Sequence, residues 1–311
     1  MTTAPLSPAA PPAAESAADR WAARAKVRIQ RVGRPAPLTA VGIALVAAFA
    51  VLALIVPLFA PDPNASAGAP LEHPSSGHLM GTDHLGRDLL ARTAAGARLS
   101  LTVGLFSVLL GLALALPLGM VAAYRAGTWV DDVVMRVLET VQALPVFVFA
   151  MFVIGLSGTG SSHVAGITLT MSTKVVLLLG VSFMPYFARV ARAHTLSETA
   201  EDYVGALRVL GLPRRRVLGE VLVNVLPPVL AQGFLWIAIA IFAESALGFL
   251  ALGVPPPTPT LGGILADAGN YVLANAWWYS VLPGLVLVLA VTGFNLVGDA
   301  LNDRIDRGGS R

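Results

Sequence analysis

The chain is 311 residues long, 56% apolar and only 13% charged, with a mean hydropathy of +0.74 and a net charge of +3. Soluble domains carry about 25% charged residues, so these values exclude a single aqueous core and make lipid the solvent. The lack of cysteine excludes disulfides and thiolate metal sites, and the pI of 9.6 comes without the clustered basic face and aromatics that nucleic-acid binding requires.

Residues 1–37 are expected to form a disordered, basic tail. Its first part is rich in Ala, Pro and Ser, and Arg20, Arg24, Lys26, Arg28, Arg31 and Arg34 follow beside Trp21. The first transmembrane helix is expected at 38–60, closed by Pro61-Asp62-Pro63. A cleaved signal peptide ending at Ala65-Ser66-Ala67 is the competing reading, but both the apolar run and its lead-in are too long for one. Residues 61–97 read as an extracytoplasmic segment. Within it Glu72, His73, His78, Asp83 and His84 are candidate ligands for Zn or Ni, although their spacing repeats no ligand pattern.

Residues 98–308 read as a five-helix core. Its spans are expected at about 99–123, at 133–155 with Pro145 inside, and at 167–190 with Lys174 and Pro185 near its ends. Two more follow at 221–246, starting near Pro227-Pro228, and at 279–301. Proline inside a membrane helix frees a carbonyl that neighbours must satisfy, which points to a packed, kinked bundle. The expected fold is thus an all-α membrane protein of six spans. With both termini cytoplasmic, 17 of the 21 Lys and Arg fall inside, leaving Arg87, Arg92, Arg98 and Lys174 outside. The positive-inside rule favours that orientation in a plasma (inner) membrane.

No G-x-x-x-x-G-K-[ST] loop is present, so no P-loop ATPase site is expected, and no H-E-x-x-H occurs. Gly155-Leu156-Ser157-Gly158 resembles the nucleophile motif of intramembrane serine proteases. That chemistry needs a base within hydrogen-bond reach, and none of the five histidines lies in the last two spans. An ion-coupled secondary transporter is the other alternative. Such carriers keep ionisable groups near the bilayer midplane, whereas Glu139, Lys174 and Glu244 all fall near expected span ends.

Between the fourth and fifth spans, residues 194–216 carry the next signal. Ser197 or Thr199 is a candidate cap for a helix through Ala200, Tyr203, Val204, Leu207 and Leu210, stopped by Gly211 and Pro213. By itself this reads as an interfacial helix flanked by arginines. The stretch also resembles the E-A-A-x-x-x-G loop of binding-protein-dependent ABC importer permeases. Gly205, Ala206 and Leu207 fall on E-A-A and Gly211 on the glycine, while the downstream Leu-Pro is displaced to Leu226-Pro227.

Three further segments resemble the C-type subunits of dipeptide and oligopeptide permeases in chain order. They are Gly81–Ser100, Glu244–Gly263, and Pro283 through Asn295 to Asp303. The resemblance covers about residues 38–308 and implies a type I ABC importer-like permease fold with a cytoplasmic coupling helix. It implies a transporter subunit rather than an enzyme, with no cofactor of its own because ATP is bound by partner subunits. The implied partners are a second, B-type permease subunit, cytoplasmic ATPase subunits and an extracytoplasmic solute-binding protein. It also implies that Tyr203, Gly205, Ala206, Leu207, Gly211 and Pro213 form the ATPase-coupling loop. Solutes of the family are chiefly di- and oligopeptides, with nickel chelates, glutathione and some sugars beside them. Two smaller expectations concern Arg87 and Asp88 as an ion pair or turn anchor, and Glu244 as a group that satisfies a neighbouring polar atom.

Overall fold

The computed structural model describes residues 37–164 and 166–309. The expectation for residues 1–37 therefore lies outside the described residues, apart from Pro37, which opens the first helix. Five helical segments are long and apolar enough to cross a membrane, and a sixth crossing is possible for one bent pair. The first segment is α1 (Pro37–Leu54) with its short continuation α2 (Val56–Phe59). The others are α3 (Leu89–Tyr124), α6 (Met171–Thr199), α8 (Arg214–Phe249) and α10 (Trp277–Gly309). The bent pair is α4 (Trp129–Ala143) and α5 (Val146–Ser157). A hairpin, β1 (Ser162–Val164) against β2 (Ile167–Leu169), two short helices, α7 (Asp202–Val209) and α9 (Leu261–Gly269), and one 3-10 turn complete the described elements.

Helix boundaries follow local chemistry more than hydropathy. The helix that contains the second expected span begins at Leu89, ten residues before it, because the Asp88 carboxylate caps it by accepting the Ala91 N–H at 2.8 Å. At 36 residues α3 is about 54 Å long, so it overruns a hydrocarbon core of about 30 Å. The fourth span starts at Met171 behind the Thr170 cap. The residues expected to open it, from Ile167 to Leu169, instead pair antiparallel with Ser162–Val164.

Proline acts in two ways. Pro117, Pro185, Pro227, Pro228 and Pro283 sit inside continuous helices. Pro145 instead breaks the third span, and α4 meets α5 at an 85° bend. Leu144 before it is extended (φ −83°, ψ 120°), as the proline ring requires of its predecessor. Pro145 then serves as the first turn's cap, its carbonyl accepting the Phe149 N–H.

The bundle is organised around α6, the most buried span, which packs along α3 and also touches α4, α5 and α8. Small residues bring the helices close. A Cβ on Gly119 of α3 would meet the Ala188 carbonyl of α6 and the Ala191 methyl, so only glycine permits that approach. Trp236 of α8 lies against Phe183, Tyr186 and Phe187 of α6. The segment α1–α2 is the least buried span and packs on α10 and α3.

Candidate functional site

At one end of the bundle α6 passes into α7 with only Ala200 and Glu201 between them. Ser197 and Thr199 do not cap α7. Both belong to the last turn of α6, where the Thr199 hydroxyl donates to the Leu196 carbonyl. The helix of the loop starts at Asp202, and Glu201 takes the cap position without a side-chain bond. The stop is as the sequence suggests. Gly211 sits at φ +73°, its N–H bonded to the Arg208 carbonyl and the Leu212 N–H to the Leu207 carbonyl. That pair of bonds is a Schellman turn, which needs a residue free to be left-handed. Pro213 then caps α8.

The eight residues of α7 divide into two faces. Val204 is fully buried, and Tyr203 and Leu207 pack beside it against the bundle, as does Leu212. The Tyr203 hydroxyl donates to Glu198 Oε1 at 2.6 Å, and Asn224 Nδ2 donates to the same oxygen (2.7 Å) and to the Tyr203 oxygen (3.0 Å). Burial, reinforced by the Glu198 hydrogen bond, raises the Tyr203 pKa, so the phenol stays a donor at neutral pH. These bonds tie α7 to both α6 and α8. Tyr203→Phe is expected to cost about 1 kcal/mol of stability, read as a small drop in melting temperature with the chain still inserted.

The outer face carries Gly205, Ala206, Val209 and Leu210. Open space surrounds the position of a Cβ on Gly205. Val209 is 88% exposed and Leu210 74%. Arg208, Arg214, Arg215 and Arg216 are exposed around them. Of the six expected loop residues, Tyr203 and Leu207 thus face the bundle, Gly205 and Ala206 face away, and Gly211 and Pro213 shape the exit. Glu198 and Asn224 were not anticipated. A lone asparagine in an otherwise apolar helical run is the signal that marks Asn224.

At the other end of the bundle the five residues weighed as candidate metal ligands do not gather, and no group of three metal-ligating side chains occurs among the described residues. Apart from His78 and Glu72, which approach each other, they have separate partners. His73 lies on Trp278, and His84 stacks on Tyr271 with its Nδ1 3.1 Å from the Tyr279 hydroxyl. His78 Nδ1 is 2.9 Å from Asp88 Oδ2, and its Nε2 is 3.8 Å from Glu72. Asp83 is fully buried and accepts from the Leu85 and Arg87 N–H groups and from Arg87 Nε at 2.6 Å. Arg92 Nε stands 3.2 Å from the same carboxylate, at ion-pair distance without hydrogen-bond alignment. Arg87 therefore pairs with Asp83 and not with Asp88, because Asp88 is committed to the α3 cap and to His78.

Two further expectations are resolved by contacts. Glu244 is buried, and Ser100 donates to its Oε2 across the α3–α8 contact. Ser157 is exposed, with its hydroxyl against the Gly158 carbonyl, while His163 bonds Thr168. Lys174 Nζ donates to the Ser157, Gly158 and Gly160 carbonyls. Among the described residues, no base is hydrogen-bonded to the Ser157 hydroxyl.

Known proteins match this bundle. Residues 115–310 match the family described as binding-protein-dependent transport system inner membrane component. The chain is 38% identical over 240 residues to a di/tripeptide transport system permease protein of Pseudomonas aeruginosa, covering 76% of this chain and 74% of the relative. It is 31% identical over 272 residues to a dipeptide transport system permease protein of Alkalihalophilus pseudofirmus, covering 86% and 85%. A glutathione transport system permease protein of Pectobacterium atrosepticum is 33% identical over 236 residues, covering 76% and 74%. The fold is the type I permease fold of ABC transporters, and the family implies ATPase and solute-binding-protein partners in an inner membrane. With its helical bundle, its short helix between two spans and this breadth of similarity, the chain belongs to the binding-protein-dependent transport system inner membrane components.

Proposed function

We propose that this chain is the C-type permease subunit of an importer for di- and oligopeptides. It forms half of the translocation path beside a B-type permease, and separate ATPase subunits supply the energy. In this reading both termini and α7 face the cytoplasm, and an extracytoplasmic binding protein delivers the solute from the side of residues 61–97. The peptide substrate rests on the named substrates of the relatives, among which glutathione is itself a small peptide.

The observation that carries the reading is the outer face of α7. Two branched apolar side chains stand almost bare at the tip of a helix that is otherwise bonded into the bundle. Exposed apolar surface at a rigid tip, ringed by arginines, fits a seat on a partner protein. Gly205 and Ala206 leave the helix flat enough for close approach. ATP binding would move two such tips together and reorient the spans as rigid bodies.

Reconstitution tests this. Proteoliposomes containing both permeases, the ATPase subunits and the binding protein should take up a dipeptide when ATP is enclosed. The permease pair alone, under an imposed proton or sodium gradient, should take up none. Gradient-driven uptake without the ATPases would replace the reading with an ion-coupled carrier.

A further inference from the structure

The bent pair α4–α5 is held to α6 at both of its ends. At the α7 end, Asp131 in the first turn of α4 receives the Arg192 fork, with Nε to Oδ1 at 2.8 Å and Nη2 to Oδ2 at 2.6 Å. The Gly127 N–H adds a third bond to Asp131 at 3.3 Å. At the opposite end, Lys174 reaches the carbonyls of Ser157, Gly158 and Gly160, where α5 ends, at 2.8–3.0 Å. Both Asp131 and Lys174 are buried.

The two attachment points on α6 are 18 residues apart, about 27 Å of helix, close to the thickness of a hydrocarbon core. Each charge thus stands near a membrane surface, where a bonded ionic group costs least. Between the clamps a groove of about 220 Å³ opens between α5 and α6, lined by Phe149, Val153, Lys174, Leu177, Leu178 and Val181 among others, while Ala150 and Ile154 on another face of α5 are buried in the core. Among the described residues, nothing bonds the elbow at Leu144–Pro145 in this way.

We propose that Asp131, Arg192 and Lys174 are positioning residues that make α4–α5 travel as one body with α6. Because α6 continues into α7 and is bonded to it through Glu198 and Tyr203, a displacement of α7 is delivered to the elbow of the bent pair. This rests on the reading of α7 as the ATPase-coupling helix. Guanidinium and carboxylate suit the inner clamp, since a bidentate fork fixes orientation as well as distance. A lysine capped by three carbonyls suits the outer one, since it holds the end of α5 without needing an acidic partner in the membrane.

This chain carries no cysteine, so each introduced label sits at one known position in it. In the assembled complex, spin labels at Phe152→Cys on α5 and Leu177→Cys on α6 should give one narrow distance. Lys174→Met should broaden it, as should Asp131→Asn. In proteoliposomes each of these variants should retain solute-stimulated ATP hydrolysis while uptake per ATP falls about tenfold. The exchange Asp131→Arg with Arg192→Asp should recover part of the uptake lost in either single change. An unchanged distance distribution would overturn the proposal, as would ATP hydrolysis and uptake falling in proportion. A native complex with no ATP-dependent uptake would instead remove the coupling reading, and the distance measurement would still report on the clamps.

Discussion

Replacing Val209 and Leu210 together by aspartate is expected to leave the chain inserted at normal levels while abolishing solute-stimulated ATP hydrolysis in the assembled complex. Neither side chain supports the bundle, because both project from the last turn of α7 into open space. The buried supports are Val204, Tyr203 and Leu207 on the opposite face, and the Gly211 turn. Seating two carboxylates in an apolar contact would cost several kcal/mol each in desolvation, enough to reduce ATPase retention by more than about a hundredfold. Gly205→Trp should act in the same direction by bulk alone, since nothing in the chain lies within 4 Å of the added Cβ. Deleting 203–213 should give the same loss. Co-purification of the ATPase subunits and their stimulated hydrolysis rate are the readouts. Full stimulation in the Val209/Leu210 double variant would mean that the motor docks elsewhere. Retained ATPase with weaker binding to anionic vesicles would assign this face to lipid headgroups.

Much of this site was legible in the sequence because its shape is set locally. Gly211 followed by Pro213 marks a helix stop through backbone conformations that only those residues favour. The apolar spacing of Tyr203, Val204, Leu207 and Leu210 marks a helix. Its start was misplaced because Ser197 and Thr199 are good caps in isolation, yet the preceding span runs on through both. The packing of α6 against α3 and α8 outweighs two local hydroxyls.

The bent span illustrates a different limit. In sequence, Pro145 looks like Pro117 or Pro185. Whether a proline kinks a helix or breaks it depends on which neighbours satisfy the freed carbonyl and hold the flanking turns, and those neighbours come from distant parts of the chain. The same holds for Asp131 and Arg192, which are 61 positions apart. In an orientation count Arg192 is one of many inner positive charges. Only the assembled helices single it out.

Residues 61–97 offer the sharpest test of how distant contacts assign roles to similar residues. Asp83 and Asp88 are both near Arg87 in sequence, yet Asp83→Ala is expected to be far more damaging than a change at either arginine alone. Its carboxylate is the shared partner of Arg87 and Arg92, whose side chains are 12% and 6% exposed, and it also ends a turn by accepting two backbone N–H groups. Removing it leaves two guanidinium groups with little water and without their paired carboxylate, and breaking a buried pair from one side costs about 3–5 kcal/mol. Arg87→Met would leave Asp83 still facing Arg92. Arg92→Met would leave it still bonded to Arg87, and would also lose the contact to the Pro63 carbonyl. Asp83→Asn should fall between, because an amide oxygen keeps the two backbone bonds but not the charge. The expected order of melting temperatures is therefore native, then the arginine variants, then Asp83→Asn, then Asp83→Ala. Protease cleavage within 66–86 should accelerate in the reverse order. Should Asp83→Ala melt and cleave like the native chain, the carboxylate would be incidental, and the fold of this segment would have to rest on its aromatic contacts from His73 and His84 to Trp278, Tyr271 and Tyr279.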